Sequence, residues 1–187
     1  MEKNVGPYET SNLIIKNMKK QNLSEHNKNE VPNAKEFSFG IVVAEWNSEI
    51  TEALYEGAYQ SLIENGARPE KIKRINVPGA FELVSGARIF AEDIDTDAII
   101  VLGCVIQGET RHFDFICNGV TQGITYFNTK YNKPFIFGLL TTDNFQQAKD
   151  RAGGKHGNKG VEAGITAIKM AKIITPDYRF SNKEVLG

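Results

Sequence analysis

A chain of 187 residues with 41% hydrophobic and 24% charged side chains is long enough for one ordinary domain and too short for two comfortable ones. Its 22 Lys and Arg against 23 Asp and Glu leave a formal charge of −1, which argues against sequence-blind binding of nucleic acid. The longest apolar run, Ala98 to Ile106, falls short of the ~20 residues a membrane span needs, and two cysteines without a Cys-x-x-Cys pair exclude a disulfide scaffold and a zinc ribbon.

Residues 1–35 hold seven Asn and six Lys with scattered apolar positions, a composition that buries little surface. They read as a flexible extension, with a short amphipathic turn around Leu13, Ile14, Ile15 and Met18 left open as a docking element. The stretch has no apolar signal core and no arginine, so it suits neither a secretory signal nor an Arg-rich transit peptide, and the expected address is the cytoplasm. Phe39 to Ala44 is a β-branched apolar run and predicts a strand. After Trp46-Asn47-Ser48, the residues Ile50, Leu54, Ala58 and Leu62 recur every four positions and predict a helix ended by Gly66. Ile72 to Val77 predicts a second strand, broken by Pro78-Gly79. Phe81 to Ile94 then carries Phe81, Val84, Ala87, Phe90 and Ala91 on one helical face.

Ala98 to Gly103 is apolar throughout, as suits a strand covered on both faces of a parallel sheet. Ile116, Val120, Ile124 and Phe127 mark the next helix, and Phe135 to Leu140 a fourth strand. Gln146 to Ala152 is a short helix, Gly153 to Gly160 a glycine-rich turn, and Val161 to Ile174 a last helix. The domain is expected over residues 36–175, followed by a polar tail at 176–187. Strand and helix alternate four times, which predicts an α/β fold: a doubly wound parallel sheet with helices on both faces.

Ligands in such a sheet sit outside the carboxyl ends of the strands, so the residues that follow each strand carry the information. A loop tryptophan exposes apolar surface unless something flat covers it, so Trp46 is either a stacking platform or packed on its own helix. Gly108 to Thr110 lies between the third strand and the next helix, where backbone N–H groups attract an anion, and a simple capped turn fits as well. His112 stands beside it at a helix N-terminus, where the positive helix end favours neutral imidazole, the form a general base requires. Cys104 and Cys117 suggest a thiol nucleophile paired with His112 as one reading, but both fall in elements expected to be buried and read as structural. Arg151, Lys155, His156 and Lys159 crowd the glycine turn, either as solvated surface or as a phosphate clamp if the turn meets Gly108 to Thr110.

Five stretches now stand in order: Phe-Gly-Ile-Val-Val with Trp46-Asn47, Val-Pro-Gly-Ala-Phe-Glu at 77–82, Leu-Gly-Cys-Val-Ile-x-Gly-x-Thr-x-His-Phe-Asp at 102–114, Phe-Gly-Leu-Leu-Thr-Thr at 137–142 and Arg-Ala-Gly-Gly-Lys-x-Gly-Asn-Lys-Gly at 151–160. Together, from about Phe37 to Ala171, they resemble the 6,7-dimethyl-8-ribityllumazine synthase family. The resemblance implies a flavodoxin-like three-layer sandwich with a four-stranded parallel sheet. It also implies the penultimate step of riboflavin synthesis, in which 5-amino-6-(D-ribitylamino)uracil condenses with 3,4-dihydroxy-2-butanone 4-phosphate.

Carried over by position, Trp46 stacks on the pyrimidine, and Asn47, Ala80, Phe81 and Glu82 bind the uracil and ribityl hydroxyls, with Val105, Ile106, Phe137 and Lys159 completing that pocket. Gly108, Glu109, Thr110 and Arg151 hold the butanone phosphate, His112 moves protons and Glu162 supports the polar wall. Neither cofactor nor metal is implied, because the diaminouracil is itself a nucleophile and the leaving phosphate needs only charge stabilisation. Two positions depart from the family's habit: Gln107 replaces a cation before Gly108, and Arg111 stands where a small or neutral residue is usual. His156 occupies a place often held by alanine.

The partners implied are the two small-molecule substrates and further copies of the chain, with no nucleic acid and no membrane. A homopentamer is expected, with an icosahedral shell of twelve pentamers enclosing riboflavin synthase left open; the compact glycine turn favours a shell and Pro32, a poor strand residue, opposes it. The resemblance further implies a site shared between neighbours, with Trp46, Glu82 and His112 of one copy facing Phe137, Arg151 and Lys159 of the next. A fold-sharing riboflavin synthase and a non-catalytic flavin or lumazine carrier are the competing readings.

Overall fold

The computed structural model describes residues 24, 26, 27 and 30–175. The docking turn expected around Leu13 to Met18 and the tail expected at 176–187 lie outside the described residues. Four parallel strands, β1 (Phe39–Ala44), β2 (Ile72–Val77), β3 (Ala98–Ile106) and β4 (Phe135–Thr142), form one sheet in the order β2-β1-β3-β4. Helices α1 (Ser48–Glu64), α2 (Leu83–Glu92), α3 (His112–Lys130), α4 (Phe145–Arg151) and α5 (Lys159–Ile174) complete the alternation. This is the flavodoxin-like α/β arrangement, with helices on both faces of the sheet.

The pleat explains why β1 and β3 read as continuous apolar runs. Phe39, Ile41 and Val43 of β1 and Ala98, Ile100, Leu102 and Cys104 of β3 point into one layer, with Leu54 and Leu62 of α1 and Ala163 and Ile168 of α5. Val42 and Ala44, with Ile99 and Val101, point into the opposite layer, against Leu83, Ala87 and Phe90 of α2 and Val120, Ile124 and Phe127 of α3. Period-two alternation leaves no polar face on a strand covered on both sides. Each large side chain so buried contributes about 1.5–3 kcal/mol, before the entropy of ordering it. Val31 and Ala34, which the sequence reading puts in the extension, pack on the first layer, and the Ala34 amide donates to the Asn65 carbonyl (2.8 Å).

Helix α1 stops where expected. Gly66 takes the left-handed conformation (φ 93°) and donates to the Ile63 carbonyl at 2.9 Å, while Ala67 donates to the Leu62 carbonyl at 3.0 Å.

Other boundaries move. Helix α2 begins at Leu83 rather than Phe81, because Pro78 to Glu82 form the turn that leaves β2. Strands β3 and β4 run on past Gly103 and Leu140, pairing Val105 with Thr141 and Ile106 with Thr142. The glycine turn holds a small antiparallel hairpin, β5 (Ala152–Gly154) with β6 (Gly157–Asn158), and α5 starts directly after it at Lys159 instead of Val161. Among the described residues no helix is long and apolar enough to cross a membrane, and no group of three or more His, Cys, Asp or Glu is placed to hold a metal ion.

Candidate active site

Strand order reverses between β1 and β3, and at the carboxyl end of that switch point lies a cavity of about 700 Å³. Its wall is built from the ends of three strands and the start of a helix: Trp46 and Asn47 after β1, Pro78 to Glu82 after β2, Cys104 to Ile106 of β3, and His112 and Ile116 of α3.

Trp46 is 75% exposed, which removes the alternative that it packs on its own helix. An indole in that state is a platform without a cover. Its position is fixed from below: the Glu45 and Trp46 amides donate to the Val77 and Pro78 carbonyls at 2.9 and 3.3 Å. Asn47 follows in the left-handed conformation (φ 59°, ψ 45°), the one non-glycine residue among those described with a positive φ. Asparagine tolerates that region better than most residues, and the strain is held by a bond from its Nδ2 to the Cys104 carbonyl at 2.9 Å. The bond ties the loop after β1 to the end of β3 and leaves Oδ1 as the side-chain atom for a ligand.

Glu82 stands at the N-cap position of α2 without a side-chain capping bond, and its carboxylate bends over Gly79 so closely that a Cβ there would lie 3.0 Å from Oε2. Phe81, more than half exposed, leans on α3 at Gly119, where an added Cβ would lie 3.0 Å from its ring. Beyond Ile106 the loop Gln107 to Arg111 is exposed. The Gln107 amide donates to the Thr142 carbonyl (2.8 Å) and its Nε2 to the Gly108 carbonyl (2.7 Å), while Thr110 Oγ1 receives a long bond from the His112 amide (3.4 Å). Gly108, Glu109 and Thr110 therefore flank the cavity rather than line it. Arg111 turns to Asp114 (3.5 Å), on the surface of α3.

The two cysteines part company. Cys104 is buried and lines the cavity floor, where burial pushes its thiol up to about 11, so it is not a thiolate nucleophile. Cys117, expected to be buried, is only half-buried on α3, and its thiol too is raised, by burial and then by Asp114.

The remaining residues singled out in the sequence form a second group. Phe137 of β4, with Lys159 and Glu162 of α5, lines a separate cleft of about 240 Å³. Arg151 joins them: its Nη2 donates to Glu162 Oε1 at 2.8 Å and its Nη1 to the His156 carbonyl at 2.6 Å, while Lys159 Nζ donates to Glu162 Oε2 at 3.0 Å. Lys155 pairs instead with Asp150 (2.9 Å), which holds that carboxyl below its usual range. No hydrogen bond or ion pair among the described residues joins this group to Gly108 to Thr110.

Sequence reasoning passed over Asn158. Its Oδ1 accepts the Gly160 amide (2.7 Å), capping α5, and its Nδ2 donates to the Ala53 carbonyl of α1 (2.9 Å). The Asn-x-Gly spacing at a helix start is an N-cap signal that would have found it.

With the geometry in place, comparison with known proteins adds a family. The sequence model described as 6,7-dimethyl-8-ribityllumazine synthase matches residues 36–175. A protein of that name from Parabacteroides distasonis is 61% identical over 150 residues, 80% of this chain and 94% of its own length. Another from Cytophaga hutchinsonii is 63% identical over the same shares, and one from Flavobacterium johnsoniae is 58% identical over 82% of this chain and 80% of its own.

Proposed function

Because the chain belongs to the 6,7-dimethyl-8-ribityllumazine synthase family, transferases of riboflavin biosynthesis, we propose that it condenses 5-amino-6-(D-ribitylamino)uracil with 3,4-dihydroxy-2-butanone 4-phosphate. The products are 6,7-dimethyl-8-ribityllumazine, phosphate and water, the penultimate step of the pathway. The observation that carries this reading is the switch-point cavity, where one exposed indole, one amide, one carboxylate and one imidazole converge on a largely apolar wall.

In this reading the uracil ring stacks on Trp46 and Phe81, and Glu82 accepts from a pair of ribityl hydroxyls. The 5-amino group attacks the ketone, and loss of water gives an imine. His112 takes the C3 proton as phosphate leaves from C4, the enol so formed tautomerises to a ketone at C3 with a methyl group at C4, and the ribitylamino nitrogen closes the ring on that new ketone, releasing a second water. Arg151, with Gly108, Glu109 and Thr110, receives the phosphate, and Lys159 completes the polar wall of the uracil pocket. Protons and charges are handled by side chains alone, with no step that needs a cofactor or metal.

The cavity wall contains His112 and Glu82 but neither Lys nor Arg, whereas the cations stand in the cleft by β4. A dianionic substrate needs both sets together. This favours a site completed by a second copy, with the Arg151 and Lys159 face of one chain closing the Trp46 cavity of the next and excluding water. We extend this to a cytoplasmic homopentamer, and a monomeric mass in solution would defeat it. The catalytic test is to mix purified protein with both substrates and follow the fluorescence of the lumazine. No signal with both substrates present removes the reading. Conversion of added lumazine to riboflavin would instead mark a riboflavin synthase, and tight binding without turnover a carrier.

A further inference from the structure

Ser24 lies ahead of the family match, which begins at residue 36, yet its hydroxyl meets Asn158 across 134 positions of sequence. The contact is two-sided. Oγ accepts the Asn158 amide at 2.6 Å and faces the Asn158 carbonyl at 3.0 Å and Glu162 Oε1 at 3.3 Å, so its one proton is shared between two acceptors. Asn158 ends the hairpin that Arg151 precedes, and Lys159 follows it directly. Glu162 is the carboxylate that both cations hold, and it and Arg151 are each only 19% exposed. Ser24 thus touches the two groups that set the spacing of the cations: the backbone at the hairpin's end and their common counter-ion.

We infer that Ser24 is a positioning residue for Arg151, fixing the hairpin end and the Glu162 carboxylate so that an incoming phosphate meets the guanidinium. This rests on the reading of Arg151 as a phosphate ligand. A bound phosphate competes with Glu162 for the guanidinium. The Ser24 proton falls on Oε1, the oxygen that Arg151 uses, and weakens that oxygen's hold on the cation. Without it, Oε1 belongs wholly to Arg151, the hairpin end loses an anchor, and the phosphate enters against a fuller ion pair.

The experiment is Ser24→Ala and Ser24→Thr in the full-length chain, with steady-state kinetics in both substrates and inorganic phosphate as a competitive probe. Ser24→Ala is expected to raise KM for the butanone phosphate and the inhibition constant of inorganic phosphate together, by about three- to tenfold, the loss of one net hydrogen bond. The uracil KM and kcat stay within about twofold, and Ser24→Thr, which keeps the hydroxyl, restores the phosphate terms. Equal changes in both KM values, or a lower melting temperature with unchanged phosphate terms, would reduce Ser24 to a structural contact and overturn the proposal. Arg151→Ala in parallel separates the two layers. If it raises the phosphate terms and Ser24→Ala does not, only the role of Ser24 falls; if it leaves them unchanged, the phosphate reading falls and takes this proposal with it.

Discussion

Replacing Arg151 with alanine removes a guanidinium that the fold holds from two sides, at the His156 carbonyl (2.6 Å) and at Glu162 Oε1 (2.8 Å). Those bonds use two of the five guanidinium N–H groups, which leaves three for an anion. A hydrogen bond between charged partners is worth about 1.5–3 kcal/mol, so KM for the butanone phosphate should rise about 10- to 150-fold. The guanidinium is assigned no contact with the uracil, which the proposal seats on Trp46 and Glu82, so the uracil KM should move by no more than about twofold. Arg151→Lys should fall between, since it keeps the charge and loses the fork. The assay is initial-rate lumazine fluorescence with each substrate varied in turn, alongside a melting curve. Equal weakening toward both substrates, together with a lower melting temperature, would show that Arg151 only braces the hairpin, and the phosphate assignment would fail.

His112→Ala should slow turnover by about 10²–10⁴-fold. After subunit exchange, an equal mixture of His112→Ala and Arg151→Ala should regain activity up to about one quarter of the wild-type sites, because a shared site unites the intact half of each chain; a mixture as inactive as its components would place both residues in one chain. Gly160→Ala should be severely destabilising, since its Cβ would run into the Leu54 carbonyl of α1, which is backbone and cannot rotate away; about 3 kcal/mol, or roughly 6–12 °C in melting temperature, is expected by calorimetry, and an unchanged Tm would contradict the close α1–α5 contact. The Asp93 carboxyl is lowered to about 2, first by its bond to Lys73 and then by the Asp95 amide. A depressed acid stabilises the fold above its unfolded value and loses that contribution as pH falls through the folded one. The Tm gap between wild type and Asp93→Asn should therefore shrink from about pH 4 toward pH 2, and a constant gap would refute the coupling.

What could be seen in the sequence follows from how each element is buried. Strands β1 and β3 were legible because both faces are covered, so every residue from Phe39 to Ala44 had to be apolar or small. Helix α1 was legible because its buried stripe repeats at Ile50, Leu54, Ala58 and Leu62. At an edge the signal thins: β2 buries only Val77 fully and shows Lys73 and Asn76 to solvent. The β5–β6 hairpin is too short for any period, and its form comes from Gly153 and Gly157 at positive φ and from the Asn158 cap.

The candidate site divides along the same line. The Trp46 to Ile116 cavity is a consequence of topology, because any doubly wound sheet gathers its strand-end loops at the switch point, and motifs read one after another along the chain were bound to meet there. The Arg151 group had no such guarantee. It sits beyond the edge strand β4, on a turn whose partners are chosen by packing of α5 on α1, so linear order said nothing about which cavity its cations serve. Ser24 is the extreme case: a single hydroxyl in an Asn-rich stretch carries no periodicity at all, and only the fold brings it to Asn158. Charge then decides how the two groups combine. Glu162 pairs with both Arg151 and Lys159 and offsets one of their two charges, and the cavity that would hold a phosphorylated substrate has no cation in its wall. Each half lacks what the other carries, and the proposed ring of identical chains would supply both to every site without a second kind of subunit.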